Sequence, residues 1–372
     1  MEIFVNLPLI AFVTENASLW VKLCIYIGPI LYIGPIRVQT VMGLFTLIFE
    51  MAGFLLFTFS IVYLGLNKKD YRAVAQILIG SLFGISLEFM NVLLYEVYTY
   101  STQFLIQAGT APDNVPISAG LYWGLILYSC MQVSDRIGLP EWSRPSLDGI
   151  LALTIDMSLD TIAIRVDGGF WNWLTVPFES LPTSNGFFGV TYGNFTGWLI
   201  VVFTFSALLR AEKNILDAEY HVSRKVTFFY YLSLPIVALI PLFVGSLLTP
   251  PPLNFLTDTP ILSTPDTLPT QAVMMLNLSY FLAIAIGVQV IALIKARPKF
   301  EKDVALVPLI VFMYFHIAFL SFYLFSGAFL EAPLILFIAL PLFAFDVLIH
   351  WSILDRSKLK QYFQAKISPS PM

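Results

Sequence analysis

The chain has 372 residues, of which 58% are hydrophobic and only 12% charged. A soluble domain carries roughly 25% charged residues, so this composition, with a mean hydropathy of +0.81, excludes an ordinary soluble protein and predicts an all-α, polytopic transmembrane bundle. The net charge of −4 is small and dispersed, which argues against nucleic acid as a partner.

The opening stretch, MEIFVNLPLIAFVTENASLW, lacks a basic region and a small-residue cleavage site, so the first apolar run reads as a retained helix rather than a signal peptide. About 20 apolar residues cross a hydrocarbon core. That rule predicts spans near 18–36, 41–66, 73–98, 116–137, 145–166, 190–211, 226–248, 271–294, 304–325 and 331–354, which makes ten, or nine if the first run is not a span. Cys24 and Cys130 both fall inside apolar runs, which speaks against a disulfide framework or thiolate site. Three scattered histidines give no metal-ligand spacing.

Segments 68–72, 136–144, 210–225, 295–302 and 356–366 hold every Lys and Arg except Lys22, Arg37 and Arg165. Alternating spans put these segments on one side, and the positive-inside rule makes that side, and the C-terminus, cytoplasmic in a multi-pass plasma-membrane protein. On the other side, residues 249–270 contain no Lys or Arg and many prolines, and read as a stiff external connection. Residues 167–189 are rich in aromatics and glycine. Their Trp171 and Trp173 read either as interfacial belt residues or as part of a lid folded back over a cavity.

The stretch LDGILALTIDMSLDTIAIR (147–165) has the length of a span yet carries Asp148, Asp156, Asp160 and Arg165. A charge at the bilayer centre costs about 3 kcal/mol or more. Asp156 and Asp160, spaced i, i+4, share one helical face, roughly 15 Å and roughly 9 Å below the outer surface. Asp148 reads as a structural carboxylate in the first helical turn. In the third span, Glu88, Asn91, Tyr95 and Tyr98 form a polar stripe, with Glu88 again roughly 15 Å deep. Glu50 and His316 fall at a similar depth, and each taken singly reads as a helix–helix hydrogen-bonding group. Asp346 and His350, also i, i+4, read as a pair. Arg165, near the outer rim, neutralises one acid at most. Burial disfavours the charged form of a carboxyl group, and a protonated acid beside an ionised one is what general acid–base chemistry needs. Asp160, Asp156 and Glu88 are therefore the candidate catalytic residues.

Four pieces, EFMNVLLYEVYTYS (88–101), NVPISAGLYWGLILY (114–128), IDMSLDTIAIRVDGGFWNW (155–173) and FFGVTYGNFTGW (187–198), resemble in order and spacing the membrane-bound carotenoid biosynthesis family, whose studied members are carotenoid hydratases of the bisanhydrobacterioruberin hydratase type. The sequence departs from the family pattern at Thr161 and Thr191, where the family has proline, and at Asn114, where it has glycine. The resemblance implies a catalytic helical core over 41–211, flanked by an N-terminal segment with the first span (1–40) and by C-terminal helices and a tail (212–372). It also implies addition of water to the terminal double bond of an acyclic carotenoid, a hydrophobic isoprenoid substrate drawn from the bilayer, with no cofactor. On that reading Asp160 or Asp156 donates the proton, and the other acid or Glu88 activates water. Trp171, Trp173 and Trp198 face the carbocation, Asn194 holds the water, and Asn91, Tyr95 and Trp123 line the substrate pocket.

Two other readings fit the same acids. D-x-x-x-D binds Mg²⁺ in prenyl-transfer enzymes, although only Arg165 stands near to meet a diphosphate. A proton-coupled transporter uses membrane acids as a relay, although the chain shows neither an inverted repeat nor a pair of broken helices.

Overall fold

A computed structural model describes residues 37–38, 43–94, 96–174, 176–216, 233–235, 237–238, 271–303 and 305–355. Eight long helices run through these residues: α1 (Leu44–Val62), α2 (Tyr71–Phe89), α3 (Ile117–Ile137), α4 (Arg144–Ala163), α5 (Tyr192–Leu216), α6 (Gln271–Lys295), α7 (Leu306–Phe325) and α8 (Leu336–Ile353). α1 and α2 each continue into a π-helical turn, Tyr63–Asn67 and Met90–Leu94.

Among the described residues six helical segments are long and apolar enough to cross a membrane: α1 and α2 with their π-turns, α5, α6, α7 and α8 with the turn before it. These six do not by themselves establish the predicted count of ten. The predicted span 18–36 lies outside the described residues, and 226–248 does so almost entirely. α3 and α4 form as predicted but fall outside the six. Both pack at the centre of the bundle, α4 against α3, α5, α6, α7 and α8. A helix surrounded by other helices need not present an apolar surface to lipid, so it tolerates polar side chains.

The closest helix pair is α2–α3, and glycines explain it. Gly80 and Gly84 on α2 face Gly120 and Gly124 on α3, each pair spaced i, i+4. A Cβ on Gly80 would stand 3.0 Å from Gly124 Cα, and one on Gly84 would run into the Trp123 side chain. Small residues at this spacing let backbones approach where no hydrophobic drive separates helix from lipid. The result sets Trp123 directly against α2.

The two ends of the bundle differ. At the basic end, Arg210 of α5 bonds the buried Asp148 of α4 at 3.0 Å, and Asp135 of α3 receives both Arg210 and Arg144. Asp148 thus lies beyond the first turn of α4 and serves as an interhelical ion-pair partner, correcting the helix-terminus reading. A second correction concerns Asp346. Its carboxylate bonds His316 of α7 at 2.6 Å and Thr154 of α4 at 2.8 Å, while His350 meets only its backbone carbonyl. Residues four apart on one helix are neighbours, but an imidazole presented by the adjacent helix is the nearer partner for this carboxylate.

Short strands close the opposite end. β2 (Tyr98–Tyr100) pairs antiparallel with β5 (Trp171–Trp173), in the register Tyr98↔Trp173, Thr99↔Asn172 and Tyr100↔Trp171. β3 (Ile106–Ala108) lies between β1 (Arg37–Val38) and β4 (Val115–Pro116), and β6 (Pro182–Thr183) pairs with β7 (Gly186–Phe187). Glu50 of α1 accepts the backbone N–H groups of Leu105 and Ile106, the latter at 2.9 Å, and so anchors this cap.

Candidate active site

The site forms where α2 stops. After Phe89 the helix widens into the π-turn, the N–H of Val97 closes on Asn91 O at 3.1 Å, and Glu96 takes a positive φ of 49°. The chain then reverses into β2. The predicted stripe of Glu88, Asn91, Tyr95 and Tyr98 is thus not one helical face. Tyr98 stands on a strand, and Tyr95 lies outside the described residues. The reversal nonetheless carries the Tyr98 hydroxyl back to Glu88, with Asn91 Nδ2 donating to that hydroxyl at 3.3 Å.

Glu88 is buried and fully supplied with donors. Tyr98 and Tyr100 donate to Oε2, the latter at 2.7 Å, and the indole N–H of Trp123 donates to Oε1 at 2.6 Å. Alternate residues of a strand share a face, so the β2–β5 ribbon turns Tyr98, Tyr100, Trp171 and Trp173 the same way. Tyr98 meets Trp173 edge to face at 5.0 Å, and Tyr100 meets Trp171 at 5.9 Å. This arrangement favours the lid reading of residues 167–189 over an interfacial belt. Asp167 fastens the lid to α1 by accepting Thr46 N at 2.8 Å and Thr46 Oγ1 at 3.0 Å.

Asp156 and Asp160 project from α4 as their spacing predicts. The side-chain amide of Asn194, in the first turn of α5, donates to Asp156 Oδ2 at 2.9 Å and to Asp160 Oδ2 at 2.7 Å. Both carboxyls therefore reach one nitrogen, and Asp156 Oδ1 is buried without a partner among the described residues. Arg165 does not neutralise either acid. It donates to Thr161 O at 2.6 Å and to Glu179 O, and its guanidinium lies 4.7 Å over the Phe178 ring.

Glu88, Asp160 and Asn194 face one cavity of about 140 Å³. Asn91, Trp123, Trp171, Trp173 and Trp198 also line it, and the Trp123 and Trp198 rings stack at 4.3 Å. Asp156 sits behind Asp160 rather than in the wall. The side-chain nitrogen of Asn194 is committed to the two carboxyls, which gives the residue a positioning place beside them, and Asn194 also lines the cavity where the sequence reading has it hold the water. An open donor exists elsewhere: Trp173 Nε1 is buried in the cavity wall with no hydrogen-bond partner among the described residues. Tyr100, Phe49, Phe104, Tyr122, Gly193 and Gly197 also line the cavity and were missed from sequence. Only Tyr100 left a local signal there, the period-two Tyr-Thr-Tyr alternation after Glu88. Among the described residues no group of three or more His, Cys, Asp or Glu side chains is arranged to hold a metal ion.

Compared with protein-family models, residues 45–253 match that of the carotenoid biosynthesis protein family. No curated protein and no solved structure matches the chain. The family match covers more than half of the sequence and contains every acid and tryptophan of the cavity wall. The chain belongs to the carotenoid biosynthesis protein family.

Proposed function

We propose that this protein is a membrane enzyme that adds water across the terminal double bond of an acyclic carotenoid. One observation carries the reading: two carboxyls share a single amide at the wall of an apolar, aromatic cavity, opposite a third carboxylate already saturated with donors. Two like-charged groups held this close, with no cation bonded to either, hold a proton between them. Asp160, the member in the cavity wall, presents it.

The chemistry then balances within the site. Asp160 gives its proton to the less substituted carbon of the terminal alkene, and the electron pair of the double bond forms the new C–H bond. The neighbouring carbon becomes a tertiary cation. Water bonds to that carbon through oxygen, and its surplus proton returns to the carboxylate left on the Asp156–Asp160 pair. The product is a tertiary alcohol, with no net change in protons or electrons, so the reaction needs no redox partner.

Glu88 has a different part. With both oxygens accepting from Tyr98, Tyr100 and Trp123, it faces the cavity as a carboxyl held in place, whose ionised form offsets the developing cation. The π faces of Trp171, Trp173 and Trp198 act in the same direction. The free indole N–H of Trp173 is placed to hold the incoming water or the product hydroxyl.

The test is expression of the full chain in a host that accumulates lycopene or another acyclic carotenoid. Pigments gain the mass of one water, and cells grown in ¹⁸O-labelled water carry the label in the tertiary hydroxyl. Unchanged pigments across several acyclic carotenoids would overturn the proposal.

A further inference from the structure

The cavity is smaller than the roughly 300–1,000 Å³ of a pocket that encloses a drug-sized ligand, so at about 140 Å³ it houses only the end of a long polyene. The rest of the chain needs a way out, and part-exposed residues of the cavity wall, Met90, Asn91 and Gly197, mark one place for it. α2 and α5 come together toward the basic end, where the Phe83 and Phe205 rings lie 4.8 Å apart. Among the described residues α2 and α5 are otherwise not a closely packed pair, the site end included. There α2 has widened into the π-turn, and α5 presents Gly193 and Gly197, spaced i, i+4.

Gly197 is the telling residue. Glycine inside a helix lowers stability relative to alanine, and a buried helical glycine is normally explained by a neighbour that leaves no room for a Cβ. Gly80, Gly84, Gly120 and Gly124 all have such neighbours, whereas among the described residues a Cβ on Gly197, like one on Gly287 of α6, would meet nothing within 4 Å, and of these two it is Gly197 that lies in the cavity wall. Gly197 is part-exposed and lines the cavity, as do Met90 and Asn91 of the π-turn. A missing side chain that makes room for no protein atom makes room for something else.

We propose that the space between the π-turn Met90–Leu94 and the Gly193/Gly197 face of α5 is a lateral passage. Through it a linear polyene slides from the bilayer into the site, end group first, and its tail stays in lipid beside Gly197. The passage rests on the proposed reading of the cavity for its substrate class, yet it makes a separate claim: long chains need the Gly197 face open, and short ones do not.

Two measurements test it. In the first, Gly197→Trp and Gly197→Ala are compared on lycopene and on a short acyclic terpene hydrocarbon bearing the same terminal group. Gly197→Trp loses at least about tenfold more on lycopene than on the short substrate, and Gly197→Ala shows a smaller difference between the two. Equal activity of Gly197→Trp on the two substrates overturns the passage. The second needs no turnover. Gly197→Cys, in a full-length background with Cys24→Ala and Cys130→Ala, is labelled in membranes by a lipid-soluble maleimide. Loading with lycopene slows that labelling about tenfold and leaves the lipid-facing control Leu82→Cys unchanged. Labelling at 197 that ignores lycopene, or that requires a water-soluble reagent, overturns the passage even if Gly197→Trp fails to fold. Should the parent hydrate neither substrate, the hydration reading falls while the labelling result still decides the passage.

Discussion

Asn194 of α5 donates its amide to Asp160 of α4 at 2.7 Å, and the same nitrogen reaches Asp156 at 2.9 Å. One uncharged donor thus holds two acids side by side, without the cation that would let both ionise freely. Asp160→Asn keeps the shape and removes the transferable proton. Its conversion of an acyclic carotenoid drops by roughly 10²–10⁴-fold, the usual contribution of a general acid, as read from product pigment by mass. Asn194→Leu frees the two carboxyls from their shared donor. It loses activity by about tenfold or more while the protein still accumulates in the membrane.

Glu88→Gln separates charge from shape at the opposite wall. Glutamine can still accept from Tyr98 or Tyr100, but its NH₂ group confronts donors that formerly met an oxygen. Activity falls by about 10²-fold, in the range of a lost electrostatic stabiliser. Trp123→Phe, which removes one donor and keeps the charge, has a smaller effect. A Glu88→Gln protein as active as the parent would remove Glu88 from the mechanism.

The lid depends on Asp167, which caps α1 from across the bundle by accepting from Thr46. Asp167→Ala removes that cap at a cost of about 1 kcal/mol, seen as a drop of about 2 °C in the unfolding midpoint in detergent. Activity declines further than stability does, because Asp167 shares its loop with Trp171 and Trp173. Equal declines would mean that the loop is only structural.

At the basic end, Arg210→Met leaves the Asp148 carboxylate, fully buried, without its cation. Breaking a buried pair in this way costs about 3–5 kcal/mol. Replacing both partners with apolar residues, Asp148→Leu with Arg210→Met, recovers most of it, because neither charge is then buried alone. Denaturant unfolding of the two variants in detergent distinguishes them by the order of their midpoints.

Hydropathy and local spacing are properties of a single segment, and on those points the sequence was readable. The run of apolar residues located α1 to α8, although the predicted span 73–98 ran past the end of α2 at Phe89 into a strand, the i, i+4 spacing put Asp156 and Asp160 on one face, and the order of four short motifs pointed to the family that the match over residues 45–253 establishes. Partners across helices were another matter. Asp346 bonds His316, thirty residues away, rather than His350 on its own helix. Arg165 turned into the lid instead of toward Asp160. The stripe predicted after Glu88 is not one helical face, and Tyr98 meets Glu88 because a π-turn and a strand fold it back. Each of these outcomes depends on which surfaces meet when helices pack, and in the α2–α3 pair that was decided by glycines whose missing side chains brought Trp123 to Glu88. A hydrogen bond between distant residues is chosen by the nearest complementary group in space, and that distance exists only once the bundle has closed.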